Sequence, residues 1–371
     1  MNLKGVFMKR MIAVLLVQML LLTACAAPNA AISKKNEAPV EGNDYNAEVE
    51  NESGEATGKI WPWENPNITL PAFTGSVTAP GTIKSLKILV AGDASARDAW
   101  EFFPLLAKEA GIEEIKIGLL YSNNNKGDLA THARYPSYTY YENVGDGWVK
   151  GDTNAKMYDA LISDKWDYFI LNQSIANSGN AESINGGSEI YLTSILKSVS
   201  FTLTSKSSSN LNPNKNPNAK ILWMQTWAYE NNNRNNLFNN FKAYGNDQQQ
   251  MYAAINDAIK QMVVTNAYIS KVATNISSDG VIPVGTAIQN MRNAYWSDGL
   301  TRDAEYLSTT GKVIAAVTMF KSLTGYDIND MELSDPAFDH ARPHMIVIKE
   351  SANNAYLNPY AVTPSVYNTA E

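Results

Sequence analysis

From residue 86 onward the apolar positions fall into alternating short runs and helical stripes. Residues 86–91 (Leu-Lys-Ile-Leu-Val-Ala) are almost continuously apolar and stop at Gly92, the pattern of a strand covered on both faces. Residues 97–110 follow, with Trp100, Phe103, Leu106, Ala107 and Ala110 on one helical face, and predict a helix. Strands are predicted over 115–121, 168–172, 220–225 and 281–284, and helices over 155–163, 188–200, 247–264 and 307–324. Strands alternating with helices imply a three-layer α/β/α sandwich around a mostly parallel central sheet. Residues 138–149 break the alternation. Tyr138, Tyr140 and Tyr141 lie on one side of Asp146-Gly147 and Trp148 and Val149 on the other, which predicts a small inserted hairpin. The Ser/Asn-rich stretch 205–217 reads as a surface loop. Residues 326–371 read as an extension packed on the same domain, with a strand at 345–348 and a helix over 351–357.

The first eighty residues have a different texture. Between residues 26 and 82, Glu37, Glu41, Asp44, Glu48, Glu50, Glu52 and Glu55 are set among Asn, Ala, Gly and Ser, with no period on which a core could form. A flexible tether of this length spans roughly 40 Å. Ile60-Trp61-Pro62-Trp63 interrupts its polarity, and Pro62 excludes a helix there. Ahead of the tether, Lys4, Lys9 and Arg10 precede an apolar stretch over 11–22 that closes on Leu22-Thr23-Ala24-Cys25. This arrangement resembles a bacterial lipoprotein signal. It implies removal of residues 1–24, lipidation of Cys25, and a protein anchored to the bacterial cell membrane on its extracytoplasmic side. The organisation expected is therefore signal peptide 1–24, tether 25–82, folded domain 83–325 and extension 326–371.

Charge narrows the partners. Thirty Lys and Arg against thirty-seven Asp and Glu give −7, and removal of three basic residues with the signal would make it −10. No dense basic stripe is available for phosphate, so nucleic acid is not expected as a partner. One cysteine and three histidines (His132, His340, His344) cannot build a Cys/His zinc cluster, and no metal or cofactor is expected. Neither a Gly-x-Gly-x-x-Gly turn nor a Gly-x-x-x-x-Gly-Lys-Ser/Thr loop follows a strand.

In a parallel sheet, ligands bind beyond the carboxyl ends of the strands. The phrases at those ends are Gly92-Asp93-Ala94-Ser95, Ser122-Asn123-Asn124-Asn125, Asn172-Gln173-Ser174, Thr226-Trp227-Ala228-Tyr229 and Thr301-Arg302-Asp303-Ala304-Glu305-Tyr306. Together with Leu129-Ala130-Thr131-His132, these resemble the SGNH (GDSL-like) hydrolase superfamily, within an uncharacterised secreted bacterial branch, over about residues 86–325. The resemblance implies an ester-hydrolase cleft: a serine after Gly92-Asp93 as nucleophile, a histidine three residues after Asp303 as its base, and an amide near Asn172 as oxyanion donor.

Two of those positions depart from the pattern. Ala94 stands where the nucleophile belongs and Tyr306 where the histidine belongs. A methyl group cannot attack, and a phenol with a pKa near 10 is a poor base at neutral pH. Ser95 is a displaced nucleophile in one reading and the capping-box residue of the next helix, with Asp98, in the other. His132 contacts substrate or is a satisfied loop histidine; His340 and His344 are read as turn or surface residues. Asp303, without its histidine, caps the last helix, pairs with Arg302 or keeps a catalytic role. Asn172 and Gln173 present amides to a ligand or tie loops together, and Trp227 stacks on a sugar or fills the core. Gly92, Asp93, His132, Asn172, Gln173 and Trp227 are thus the candidate binding residues. The expected function is a degenerate hydrolase fold binding a glycan or acylated sugar. An active esterase or deacetylase using Ser95 is the alternative, and a structural surface protein with its cleft closed by Tyr306 is a third.

Overall fold

The computed structural model describes residues 81–122, 127–134, 136–185, 190–231, 241–260, 280–296 and 298–368. Cys25, the tether, residues 60–63 and most of the Asn123–Gly127 loop lie outside the described residues. Seven strands form one sheet in the order β4-β3-β2-β1-β5-β6-β7. They are β1 (Ser85–Gly92), β2 (Glu114–Ser122), β3 (Tyr138–Asn143), β4 (Val149–Lys150), β5 (Tyr168–Leu171), β6 (Lys220–Met224) and β7 (Val281–Ile282). β2, β1, β5, β6 and β7 are mutually parallel, while β3 and β4 add an antiparallel hairpin at the β2 edge. The parallel strands follow the flavodoxin-like doubly wound order, with the switch point between β1 and β5.

Helices cover both faces. On one lie α1 (Ala94–Ala99), α2 (Phe103–Glu109), α8 (Val284–Met291), α9 (Thr309–Thr324) and α10 (Met345–Leu357); on the other α3 (Leu129–His132), α4 (Met157–Ser163), α5 (Ala181–Asn185), α6 (Ile190–Thr204) and α7 (Gln248–Ile259). Strands buried from both sides must be apolar throughout, and Ile88, Leu89, Val90 and Ala91 have no exposed surface. Among the described residues no helix is long and apolar enough to cross a membrane, and no group of three His, Cys, Asp or Glu could hold a metal ion.

Several boundaries differ from the sequence expectation. The helix expected over 97–110 is two helices, α1 and α2. Pro104 sits in the first turn of α2, and a helix running through from α1 would need the N–H that proline lacks. The cap of α1 is Asp93, whose carboxylate accepts the Ser95 N–H at 2.9 Å, so Ser95 is not the capping residue. The strand expected at 345–348 is the first turn of α10. Four consecutive apolar residues fit either period; here Val347 and Ile348 are buried where α10 packs along α8 and α9. The last strand is only Val281–Ile282, because Pro283 ends it and caps α8. The hairpin forms as expected, with Tyr138 also bridged to Ala155. The 205–217 stretch is a loop held by its own asparagines: Asn210 Nδ2 donates to the carbonyls of Phe201, Thr202 and Ser205 at 2.9–3.2 Å.

Candidate functional site

The switch point brings the end of β1 against the end of β5. Gly92 closes β1 under close packing: a Cβ there would meet the Ala96 Cβ and would lie 2.7 Å from Asn172 Oδ1. Any side chain at Gly92 would therefore push β1 and β5 apart. Gly127 approaches from the next loop, where a Cβ would be 2.5 Å from the Asp93 Cβ. Asp93 is thus walled in and 5% exposed. Burial raises its pKa, opposed by hydrogen bonds from Ser95 and Ala96.

Ser95 has no exposed surface. Its hydroxyl donates to Asp93 Oδ1 at 2.5 Å and accepts from Asn172 Nδ2 at 3.3 Å. The side chain therefore faces inward, stitching β1 to β5. Ala94 is the first residue of α1 and half-buried at the helix start. Asn172 and Gln173 are buried too. The Gln173 carbonyl oxygen accepts the N–H groups of Leu129 and Ser174, both at 3.1 Å, and its amide donates to Ser183 Oγ at 3.1 Å. In this structure Gln173 ties together β5, α3 and α5.

His132 also has no exposed surface. It stacks on Tyr138 with ring centroids 5.7 Å apart, and Nδ1 lies 3.1 Å from the Tyr138 hydroxyl. Burial pushes its pKa down to about 4, which keeps the ring neutral at physiological pH. His344 is edge-on to Trp296, 4.2 Å between centroids. Trp227 is fully buried and donates Nε1–H to the Glu305 carbonyl at 2.7 Å. No face of this ring is open for stacking on a sugar; the indole braces a loop.

That loop, residues 301–307, is closed by a bridge between Thr301 and Leu307. Asp303 caps its own turn, accepting the N–H groups of Glu305 at 3.1 Å and Tyr306 at 2.7 Å. The cap of α9 is Ser308, not Asp303. Arg302 pairs with Asp98 at 2.7 Å and not with Asp303. Tyr306 is half-buried with the Arg302 guanidinium 5.4 Å from its ring centroid. Its pKa is raised by burial first and then by Glu305, Asp93 and Tyr121, so its hydroxyl lies within the field of the β1 and β2 ends.

The site also includes residues that the sequence did not single out. Tyr121, near the end of β2, meets Tyr141 at 5.7 Å between centroids, and Arg97 covers the Tyr141 ring at 4.9 Å. The Glu305 carboxyl is pushed up to about 7 by burial, then by Asp303 and Asp93, with the Tyr229 hydroxyl acting in the opposite direction. The strand-end rule reaches Tyr121 and the 301–306 phrase reaches Glu305. Neither signal gives their chemistry, because burial and carboxylate neighbours depend on the tertiary packing. The open part of the site is thus a tyrosine-lined shelf beside Asp93 and Glu305, without a Ser/His pair among these residues.

A doubly wound α/β sandwich with its site at the β1/β5 switch point is the class that this fold defines. Within it, the chain belongs to the family described as Domain of unknown function (DUF4886), whose model matches residues 87–342. A crystal structure of a DUF4886 family protein from Bacteroides uniformis is 26% identical, with a TM-score of 0.61, covering 75% of this chain and 97% of that one. A protein from Slackia heliotrinireducens, provisionally described as an SGNH hydrolase, is 14% identical with a TM-score of 0.35, covering 63% and 96%. No curated protein matches.

Proposed function

We propose that this protein is a lipid-anchored extracytoplasmic binding protein, whose cleft has the layout of an SGNH-type ester hydrolase but holds a glycan or acylated sugar without cleaving it. The observation that carries this reading is the state of Ser95. Its hydroxyl is buried and committed to Asp93, so the position open to the site is the methyl group of Ala94. A nucleophilic serine needs an adjacent base. Tyr306, with its pKa raised, stays a neutral phenol at neutral pH and so is a poor base, and His132 is enclosed. The half-buried rings of Tyr121, Tyr141 and Tyr306 beside carboxyl groups supply what sugar recognition uses: apolar faces for the ring and acceptors for its hydroxyls. The anchor rests on the signal ending at Cys25.

A thermal-shift screen of the chain from residue 26 onward tests the binding reading, with acetylated xylo-oligosaccharides and chito-oligosaccharides as probes. A bound probe raises Tm in proportion to RT ln(1 + [L]/Kd) and releases no acetate. Acetate release that Ser95→Ala abolishes would overturn the reading.

A further inference from the structure

Taking the cleft as the glycan site proposed above, we infer that Arg97 sets its specificity: the guanidinium holds a carboxylate on the ligand, so the sugar bound is an acidic one, such as a uronic acid unit.

Arg97 belongs to the shelf. It lies in the last turn of α1, three residues after Ala94, a spacing that puts both on one side of the helix. Its guanidinium covers the Tyr141 ring at 4.9 Å, and Tyr141 meets Tyr121 edge-on at 5.7 Å. The Tyr121 hydroxyl senses both ends of this group, its pKa being raised by burial and by Asp93 and lowered by Arg97. The backbone beneath is fixed as well, because Trp148 of the inserted hairpin donates Nε1–H to the Arg97 carbonyl at 3.2 Å. An arginine already stacked on a ring has less conformational freedom left to lose when a ligand arrives.

The cation also lacks a protein counter-ion. Arg97 is exposed, and among the described residues no carboxylate or carbonyl accepts from its guanidinium. The next residue, Asp98, is taken by Arg302 at 2.7 Å and by Lys312 at 3.7 Å, and Lys312 is also paired with Glu101 at 2.8 Å. Arg302 makes the contrast. It too covers a tyrosine of the shelf, Tyr306 at 5.4 Å, but its Nη1 is spent on Asp98 and on the Leu307 carbonyl, both at 2.7 Å. The donors of Arg97 are left for a planar anion, which a guanidinium fork takes through two parallel hydrogen bonds.

The surrounding charge limits that anion to one. A chain with a net charge of −7 repels a polyanion, whereas a single carboxylate on an otherwise neutral glycan meets a single cation. Asp93 offers little opposition, since it is enclosed and burial raises its pKa.

The test is calorimetric titration of the chain from residue 26 onward with a matched pair of probes, a xylo-oligosaccharide and the same oligosaccharide bearing one glucuronic acid. Wild type is expected to bind the acidic probe about fivefold or more tighter, with the margin shrinking as sodium chloride rises to about 0.5 M. Arg97→Gln removes the charge and is expected to bind the two probes equally. Equal affinities in wild type, or a preference that survives in Arg97→Gln, would overturn the assignment while leaving the glycan reading intact. If neither probe binds, the glycan reading is the one that fails. The role of Arg97 is then decided in wild type by the NMR resonance of its Nε–H during titration with sodium glucuronate, and the same measurement decides if Arg97→Gln does not fold. A saturable shift at Arg97 that is absent at Arg134, and absent with glucose, supports the anion contact; no such shift refutes it.

Discussion

The Ser95 hydroxyl lies 2.5 Å from Asp93 Oδ1, the same oxygen that takes the Ser95 backbone N–H at 2.9 Å. One buried carboxylate oxygen thus closes β1, caps α1 and consumes the hydroxyl nearest the position where a nucleophile is expected. Ser95→Ala should therefore act on stability and not on chemistry. It removes a charge-assisted bond from a buried acid and should lower unfolding free energy by about 1–3 kcal/mol, read by urea denaturation. Ester hydrolysis should stay at its wild-type level. A variant with unchanged stability and reduced turnover would reverse this assignment.

His132 supplies a pH signature. Its pKa in the folded protein, about 4, is below the ordinary value of 6.5, so between these values the unfolded chain binds more protons than the folded one. Stability from this group is complete above pH 6.5 and declines as pH falls toward 4, by up to about 3 kcal/mol if the whole difference is expressed. His132→Phe keeps a ring against Tyr138 without a titrating group. Its urea midpoint should vary less than that of wild type between pH 6.5 and 4.5, and an unchanged pH slope would show that another group is responsible.

Much of the fold was legible because its determinants are local. The run from Leu86 to Ala91 cannot be an exposed segment, and Asp146-Gly147 between aromatic flanks marks a hairpin. The site was legible only as an address. Gly92, Asp93, Asn172 and the 301–306 phrase follow from strand ends, and the structure does gather them at the switch point. What each side chain does there was not readable. Trp227 turns inward because the Glu305 carbonyl lies within reach of its indole N–H. Gln173 turns inward because Leu129 and Ser183 lie on either side of it. The Glu305 carboxyl is pushed up by burial first, then by Asp303 and by Asp93, more than two hundred residues away in sequence. The misread 345–348 segment shows the same limit, since four apolar residues carry no period until a neighbouring helix selects one.

Cys25 is expected to fix where the protein resides. Cys25→Ser should move the protein from the membrane fraction to the soluble fraction of the producing cells, with its folded domain intact by far-UV circular dichroism. Retention of the serine variant in membranes would show that the signal ending at Cys25 does not act as a lipid-attachment site.

The central claim, that the cleft persists while its covalent chemistry is gone, is tested most directly by hydrolysis of an activated acetyl ester. Wild type and the Ala94→Ser/Tyr306→His double variant are compared side by side. The account predicts no turnover by wild type above the uncatalysed rate and measurable turnover by the double variant, about tenfold or more above that background. Turnover by wild type that Ser95→Ala abolishes would contradict it.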